Sequence, residues 1–110
     1  MRKEVRARLE RAGFHFGTVK EFLGLSDEEA AFLELKLALA TDLQRRRTAD
    51  GMTQAEVAVR LGTSQSRVAK MEAADKSVSI DLLVRALFAL GVPRRTLGRL
   101  ISSGPSIRAV

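Results

Sequence analysis

Residues Thr53–Glu72 read TQAEVAVRLGTSQSRVAKME, and their spacing decides the fold. Val57, Ala58 and Leu61 recur at helical spacing, as do Val68 and Met71. Gly62-Thr63-Ser64 separates the two apolar sets. The pattern predicts a helix, a tight turn and a second helix whose remaining positions, Gln65, Ser66, Arg67 and Lys70, are all donors and acceptors. Such a unit needs a small residue where the helices cross, and Ala58 supplies it. It needs an apolar residue beside the turn (Leu61), a residue free to leave helical geometry (Gly62), and an apolar anchor in the second helix (Val68). Gln65 and Ser66 then start an outward face, with Lys70 about one turn later. Glutamine bonds an adenine edge bidentately, serine serves several bases, and lysine reaches guanine O6 or N7. These residues imply a helix that enters the major groove of DNA. The N-termini of both helices offer free backbone N–H groups to phosphate, with Thr53, Gln54 and Ser64 as the short polar residues there.

Upstream, Ser26-Asp27-Glu28-Glu29 predicts a helix start, with Ser26 as cap and Glu29 completing a capping box. Phe32, Leu35, Leu39 and Leu43 continue on one face, and Leu33 and Leu37 widen the stripe, so cover of its N-terminal half on two sides is expected. Arg45, Arg46 and Arg47 close this helix near Ala49, and Asp50-Gly51 stops it. Downstream, Ser79 opens IDLLVRALFALG, in which only Asp81 and Arg85 are expected to face water. A helix apolar on most faces is buried on several sides, so residues 80–90 are expected to form the central packing helix. Gly91 ends it, and Pro93 precedes a last helix over 94–102 with Leu97, Leu100 and Ile101 on one side. The N-terminal part predicts a short basic helix over 2–12. A glycine-punctuated stretch follows, in which Thr18 caps a short helix ended by Gly24. Phe14, Phe16 and Phe22 form either a satellite core or a patch for a protein partner.

The chain has 110 residues, 45 % of them hydrophobic, which suits one soluble domain. Its net charge is +6, favouring a polyanionic partner. That charge is uneven: residues 1–25 carry +3, 26–50 carry −2, 51–78 carry +1 and 79–110 carry +4. The flanks are more basic than the reading unit. The chain contains 0 cysteines and 1 histidine, His15, so no metal site is expected. No nucleophile–base set or phosphate loop is present, and neither a catalytic function nor a cofactor is expected. No apolar run matches a membrane span or a signal peptide, and a cytoplasmic location is expected.

Residues 39–92 resemble the lambdoid repressor and Cro type of helix-turn-helix domain, the Xre-like family. The match is carried by Gly51-Met52-Thr53-Gln54-Ala55-Glu56-Val57-Ala58, Leu61 to Val68, Met71-Glu72 and Leu87 to Val92. The resemblance implies an all-α, five-helix lambda-repressor-like DNA-binding domain, here with an N-terminal helical extension. It implies phosphate contact by Gln54 and base contact by Gln65, Ser66 and Lys70. Arg67 is implied to touch phosphate or a flanking base, and Lys76 and Ser77 to grip the DNA backbone. Arg47 and Glu72 match the family's partly buried ion pair. Ala73-Ala74 departs from the pattern, where many members place Asn-Gly. With FGTVKEFLGLSDEEA ahead of the domain, the whole chain looks like the HigA-type antitoxins, which bind a RelE-like toxin and repress their own operon. Phe14, Phe16 and Phe22 would then dock the toxin. The resulting expectation is an extension over 1–25, a DNA-binding domain over 26–102 and a loose tail over 103–110. The domain would bind a palindromic double-stranded operator as a homodimer, either as an antitoxin or as a stand-alone repressor.

Overall fold

The computed structural model describes residues 21–103. Five helices are complete within them: α1 (Asp27–Ala49), α2 (Gln54–Leu61), α3 (Gln65–Glu72), α4 (Ile80–Ala89) and α5 (Arg94–Ser103). Residues 21–23 are also helical, and there is no strand among the described residues. The expected helix over 2–12, Phe14, Phe16 and His15 lie outside them, as do residues 104–110.

Side chains write the helix starts. Ser26 and Thr53 each accept a hydrogen bond from the backbone N–H three residues on, and Glu29 and Glu56 reach back to the capping residue's N–H. Ser64 and Ser79 cap α3 and α4 in the same way, without the reciprocal glutamate. The first four helices share one kind of ending. The residue after the cap turns left-handed, and two N–H groups fold back onto the last turn: Gly51 to Thr48 and Met52 to Arg47, then Gly62 to Val59 and Thr63 to Ala58. Gly91 to Phe88 and Val92 to Leu87 end α4 likewise. This is the Schellman arrangement, and glycine takes its left-handed step at no steric cost. At the end of α3 the same step falls on Ala74, with φ 53°, where Ala74 N–H bonds to Met71 and Asp75 N–H to Lys70.

The apolar faces meet in two clusters. Leu39, Leu43, Met71, Val78, Leu83 and Leu87 are at most 2 % exposed and form the centre of the larger one, between α1, α4 and the end of α3. Val92 and Leu97 extend it to α5. Val57, Ala58 and Val68 form the smaller one, which locks α2 to α3. Leu61 and Leu90 pack against both.

Three expectations about burial fail. Phe32 is 55 % exposed although it stands on the Leu35–Leu39–Leu43 stripe. At about 1.5 Å per residue, α1 is roughly 34 Å long against roughly 15 Å for α4, so α4 spans less than half of α1. On α4, only Leu83, Ala86 and Leu87 are buried, while Ile80, Leu82 and Val84 are half-covered and Phe88 is 44 % exposed. On α5, Leu97 is buried but Ile101 is not. Conversely, Lys36 and Asp42 on α1 are buried.

Ala74 offers a direct check on the turn geometry. Left-handed backbone costs an L-residue about 1–2 kcal/mol, and glycine gives back part of that through its freer unfolded chain. Ala74→Gly is therefore expected to stabilise the protein by roughly 0.5–1 kcal/mol, read as a higher urea midpoint at unchanged slope. A lower midpoint would mean that the half-buried Ala74 methyl matters more than the backbone.

Candidate nucleic-acid interface

Val57 and Val68, both 0 % exposed, fix how α3 lies on α2. With that face committed, Gln65, Ser66, Arg67 and Lys70 are left exposed on α3. Ser64 Oγ accepts the Arg67 N–H at 3.1 Å and lies 3.2 Å from Ser66 Oγ, so the first turn of α3 is held by its own hydroxyls.

Behind this face runs a continuous side-chain network. Arg47, near the end of α1, donates through Nε to Glu72 Oε2 at 2.6 Å and through a terminal nitrogen to Oε1 at 3.1 Å. A further guanidinium N–H reaches the Met52 carbonyl at 2.9 Å, bracing the α1–α2 turn. Gln54 Nε2 donates to Glu72 Oε1 at 3.0 Å, and Gln65 Nε2 donates to Gln54 Oε1 at 2.8 Å. The Glu72 side chain is 4 % exposed and that of Arg47 13 %. The bond to Glu72 raises the Arg47 pKa against the opposing effect of burial.

The network has a direction. An ionised carboxylate only accepts, so Glu72 orients the Gln54 amide with its nitrogen inward and its oxygen outward. That oxygen then orients Gln65. A glutamine amide has two N–H donors and a carbonyl acceptor. The bond to Gln54 uses one donor and leaves Gln65 the donor–acceptor pair that a purine edge requires.

The loop after α3 is folded around Asp75. Its carboxylate Oδ2 accepts the Ser77 N–H at 2.9 Å and the Ser77 hydroxyl at 2.5 Å. These bonds lower the Asp75 pKa below its ordinary 3.8, and the charges of Lys70 and Lys36 act in the same direction. The carboxylate thus holds Ser77 above the ordinary carboxyl range and releases it as pH falls through the lowered value. Lys76 and Ser77 are exposed, while Val78 is 2 % exposed and anchors the loop to the core.

Of the positions singled out in the sequence, Arg47, Glu72, Gln54 and Gln65 are thus joined by hydrogen bonds. Thr53 and Ser64 sit at the starts of α2 and α3 as caps. Phe22 is 70 % exposed, at the edge of the described residues. The arginine triplet divides its work: Arg45 and Arg46 bond the two oxygens of buried Asp42, and Arg47 alone crosses to α3. The i, i+3 and i, i+4 spacing of Asp42 to these arginines was a readable signal. Lys36 was missed because a lysine between Leu35 and Leu37 reads as a solvated position. Its ammonium instead donates to the Asp75 carbonyl at 2.8 Å.

Removing one member of a buried ion pair leaves the other uncompensated, at a cost of about 3 kcal/mol or more. Glu72→Ala is expected to lower the unfolding free energy by roughly that amount in a denaturant titration. Arg47→Lys is expected to leave much of the loss in place, since an ammonium cannot make the forked contact and reach the Met52 carbonyl as well. Full stability in both variants would reduce the pair to a surface contact.

A family model described as a helix-turn-helix domain matches residues 38–100, which is more than half of the chain. Searches of curated proteins and of solved structures returned no match. No helix among the described residues is long and apolar enough to cross a membrane. The matched span runs from the middle of α1 into α5 and contains both apolar clusters and the whole Arg47–Glu72–Gln54–Gln65 network. By that match, and by the helix–turn–helix built from α2 and α3, the chain belongs to the Xre-like helix-turn-helix domain family.

Proposed function

We propose that this protein is a sequence-specific DNA-binding transcriptional regulator that acts as a repressor. DNA binding and transcriptional regulation are what its family suggests. The observation that carries the finer reading is the Gln65–Gln54–Glu72–Arg47 chain of hydrogen bonds. Three side chains in it, Gln54, Glu72 and Arg47, orient one exposed amide at the start of an exposed polar helix face. In this reading Gln65, Ser66 and Lys70 touch base edges, while Thr53, Gln54, Ser64, Arg67, Lys76 and Ser77 contact phosphate or flanking groups. Two copies would place their α3 helices in major-groove segments about one helical turn apart, on a palindromic operator. Phe88 and Ile101, both more than 40 % exposed near the ends of α4 and α5, are apolar groups available for the contact between copies. Bound at a promoter, such a dimer represses by excluding polymerase.

A second role, as the antitoxin of a RelE-like toxin, is favoured by one observation, the 70 % exposure of Phe22 at the end of the N-terminal segment. In that role the same protein would neutralise a toxin through residues 1–25 and repress its own operon through α3.

The test is a binding titration on the duplex upstream of the gene. Gln65→Ala and Lys70→Ala are each expected to cost about 1–3 kcal/mol on the specific site and to relax the preference at one base position. Specific binding that survives both changes would refute the assigned reading face. Deletion of residues 1–25 is expected to leave DNA affinity intact and to abolish co-purification with the product of the adjacent gene. Loss of DNA binding by a folded deletion variant would instead make the extension a DNA arm.

A further inference from the structure

The ends of α1, α2, α3 and α4 use the same left-handed turn, and three of them follow one recipe. Gly51, Gly62 and Gly91 take the positive φ, and Met52, Thr63 and Val92 follow. The fourth, at the end of α3, has Ala74 in the strained position and charged Asp75 after it. This is the turn that leads into Lys76 and Ser77. Its own sequence favours the turn least, because an L-residue resists that backbone region.

An outside group supports it. Lys36, on α1 and 39 residues away, is 7 % exposed and donates to the Asp75 carbonyl at 2.8 Å. Burying an ammonium costs free energy unless hydrogen bonds compensate, so its place there calls for a contact of some consequence. The same residue, Asp75, is gripped from three directions. Its N–H bonds to the Lys70 carbonyl, its carboxylate to Ser77, and its carbonyl to Lys36. Val78 N–H closes the loop onto that same Asp75 carbonyl at 2.9 Å. The exposed Lys76 lies between these fixed points, and Lys70 is near enough to Asp75 for their charges to interact.

We propose that Lys36 is a positioning residue for DNA binding: by clamping the Asp75 carbonyl it holds the Ala74–Val78 turn in the shape that presents Lys76 to a phosphate. The proposal rests on the reading of that loop as a DNA-backbone contact. Lys36 itself touches no DNA. Its effect passes through the turn, so it resembles the loss of Lys76 rather than the loss of a base-reading residue.

The experiment is a double-variant cycle on the full chain: Lys36→Met, Lys76→Ala and both together. The probes are the duplex upstream of the gene and a scrambled duplex of equal length, titrated from 50 to 200 mM salt. Lys76→Ala is expected to reduce the slope of log K against log salt by about 0.9, the value of one phosphate contact. Lys36→Met is expected to reduce it by about the same amount on both duplexes, and the double variant by no more than either alone. Simple loss of a positive charge would instead add to the Lys76 effect, and additivity overturns the proposal. So does an unchanged slope in a folded Lys36→Met protein, which would make Lys36 a packing residue. An unchanged slope for Lys76→Ala refutes the loop contact itself and separates that failure from failure of the clamp. Should Lys36→Met not fold, by far-ultraviolet circular dichroism, Lys36→Gln takes its place in the cycle. Its uncharged amide nitrogen is one chain atom shorter than the lysine ammonium and falls short of the Asp75 carbonyl, so it must still show the non-additive loss.

Discussion

A guanidinium and a carboxylate, 2.6 Å apart and mostly shielded from water, hold the first helix of the domain to the third. Much of the geometry of the exposed polar face of α3 depends on that pair. Arg47 also fixes the turn before α2 through the Met52 carbonyl, and Glu72 also fixes Gln54 at the start of α2. One ion pair therefore sets the relation of three helices. It does so in a part of the domain where the apolar cluster is small, with only Val57, Ala58 and Val68 buried between α2 and α3. Forked hydrogen bonds have direction, whereas apolar contact does not. The larger cluster supplies most of the buried apolar surface, and the ion pair gives the smaller one a defined orientation.

The same division recurs on α1. Its arginines and its buried polar residues, Glu34, Lys36 and Asp42, share a helix with the leucines of the core. Asp42 is satisfied within its own helix by Arg45 and Arg46, so its burial organises local structure. Lys36 and Arg47 reach across to the two sides of α3's end, one at the loop and one at Glu72. Helix α3 is thereby held at its C-terminal end by two cations from a single long helix. Its N-terminal end, with the Ser64 cap, faces outward with Gln65 and Ser66.

Much of this fold was legible in the chain. Two capping boxes, at Ser26–Glu29 and Thr53–Glu56, mark starts because the hydroxyl and carboxylate satisfy backbone N–H groups that nothing else reaches. Glycines 51, 62 and 91 mark stops because only glycine turns left-handed freely. The alternation of apolar positions on α2 and α3 assigned inner and outer faces at those helices. The periodicity was less informative on α1, α4 and α5. It states which residues share a face and not how much of it a neighbouring helix covers, so Phe32 and Ile101, near helix ends, and Phe88, beside buried Leu87, are exposed on apolar stripes. The candidate site was legible as positions on a motif. Its internal wiring was not, because Gln65 and Gln54 are 11 residues apart and glutamine pairs carry no sequence signature.

What the sequence by itself determined, then, were local matters: where helices begin and end, which faces are apolar, and that Gln65, Ser66 and Lys70 share an outward face. These follow from interactions within about four residues, which chain order encodes directly. The tertiary structure alone decided that Ala74 takes a turn written elsewhere for glycine, and that buried Lys36 bonds to the Asp75 carbonyl beside it. It alone decided that one carboxylate, Glu72, serves both Arg47 and Gln54. The partners in these contacts stand 18 to 39 residues apart, and only packing the helices brings a donor and an acceptor to bonding distance.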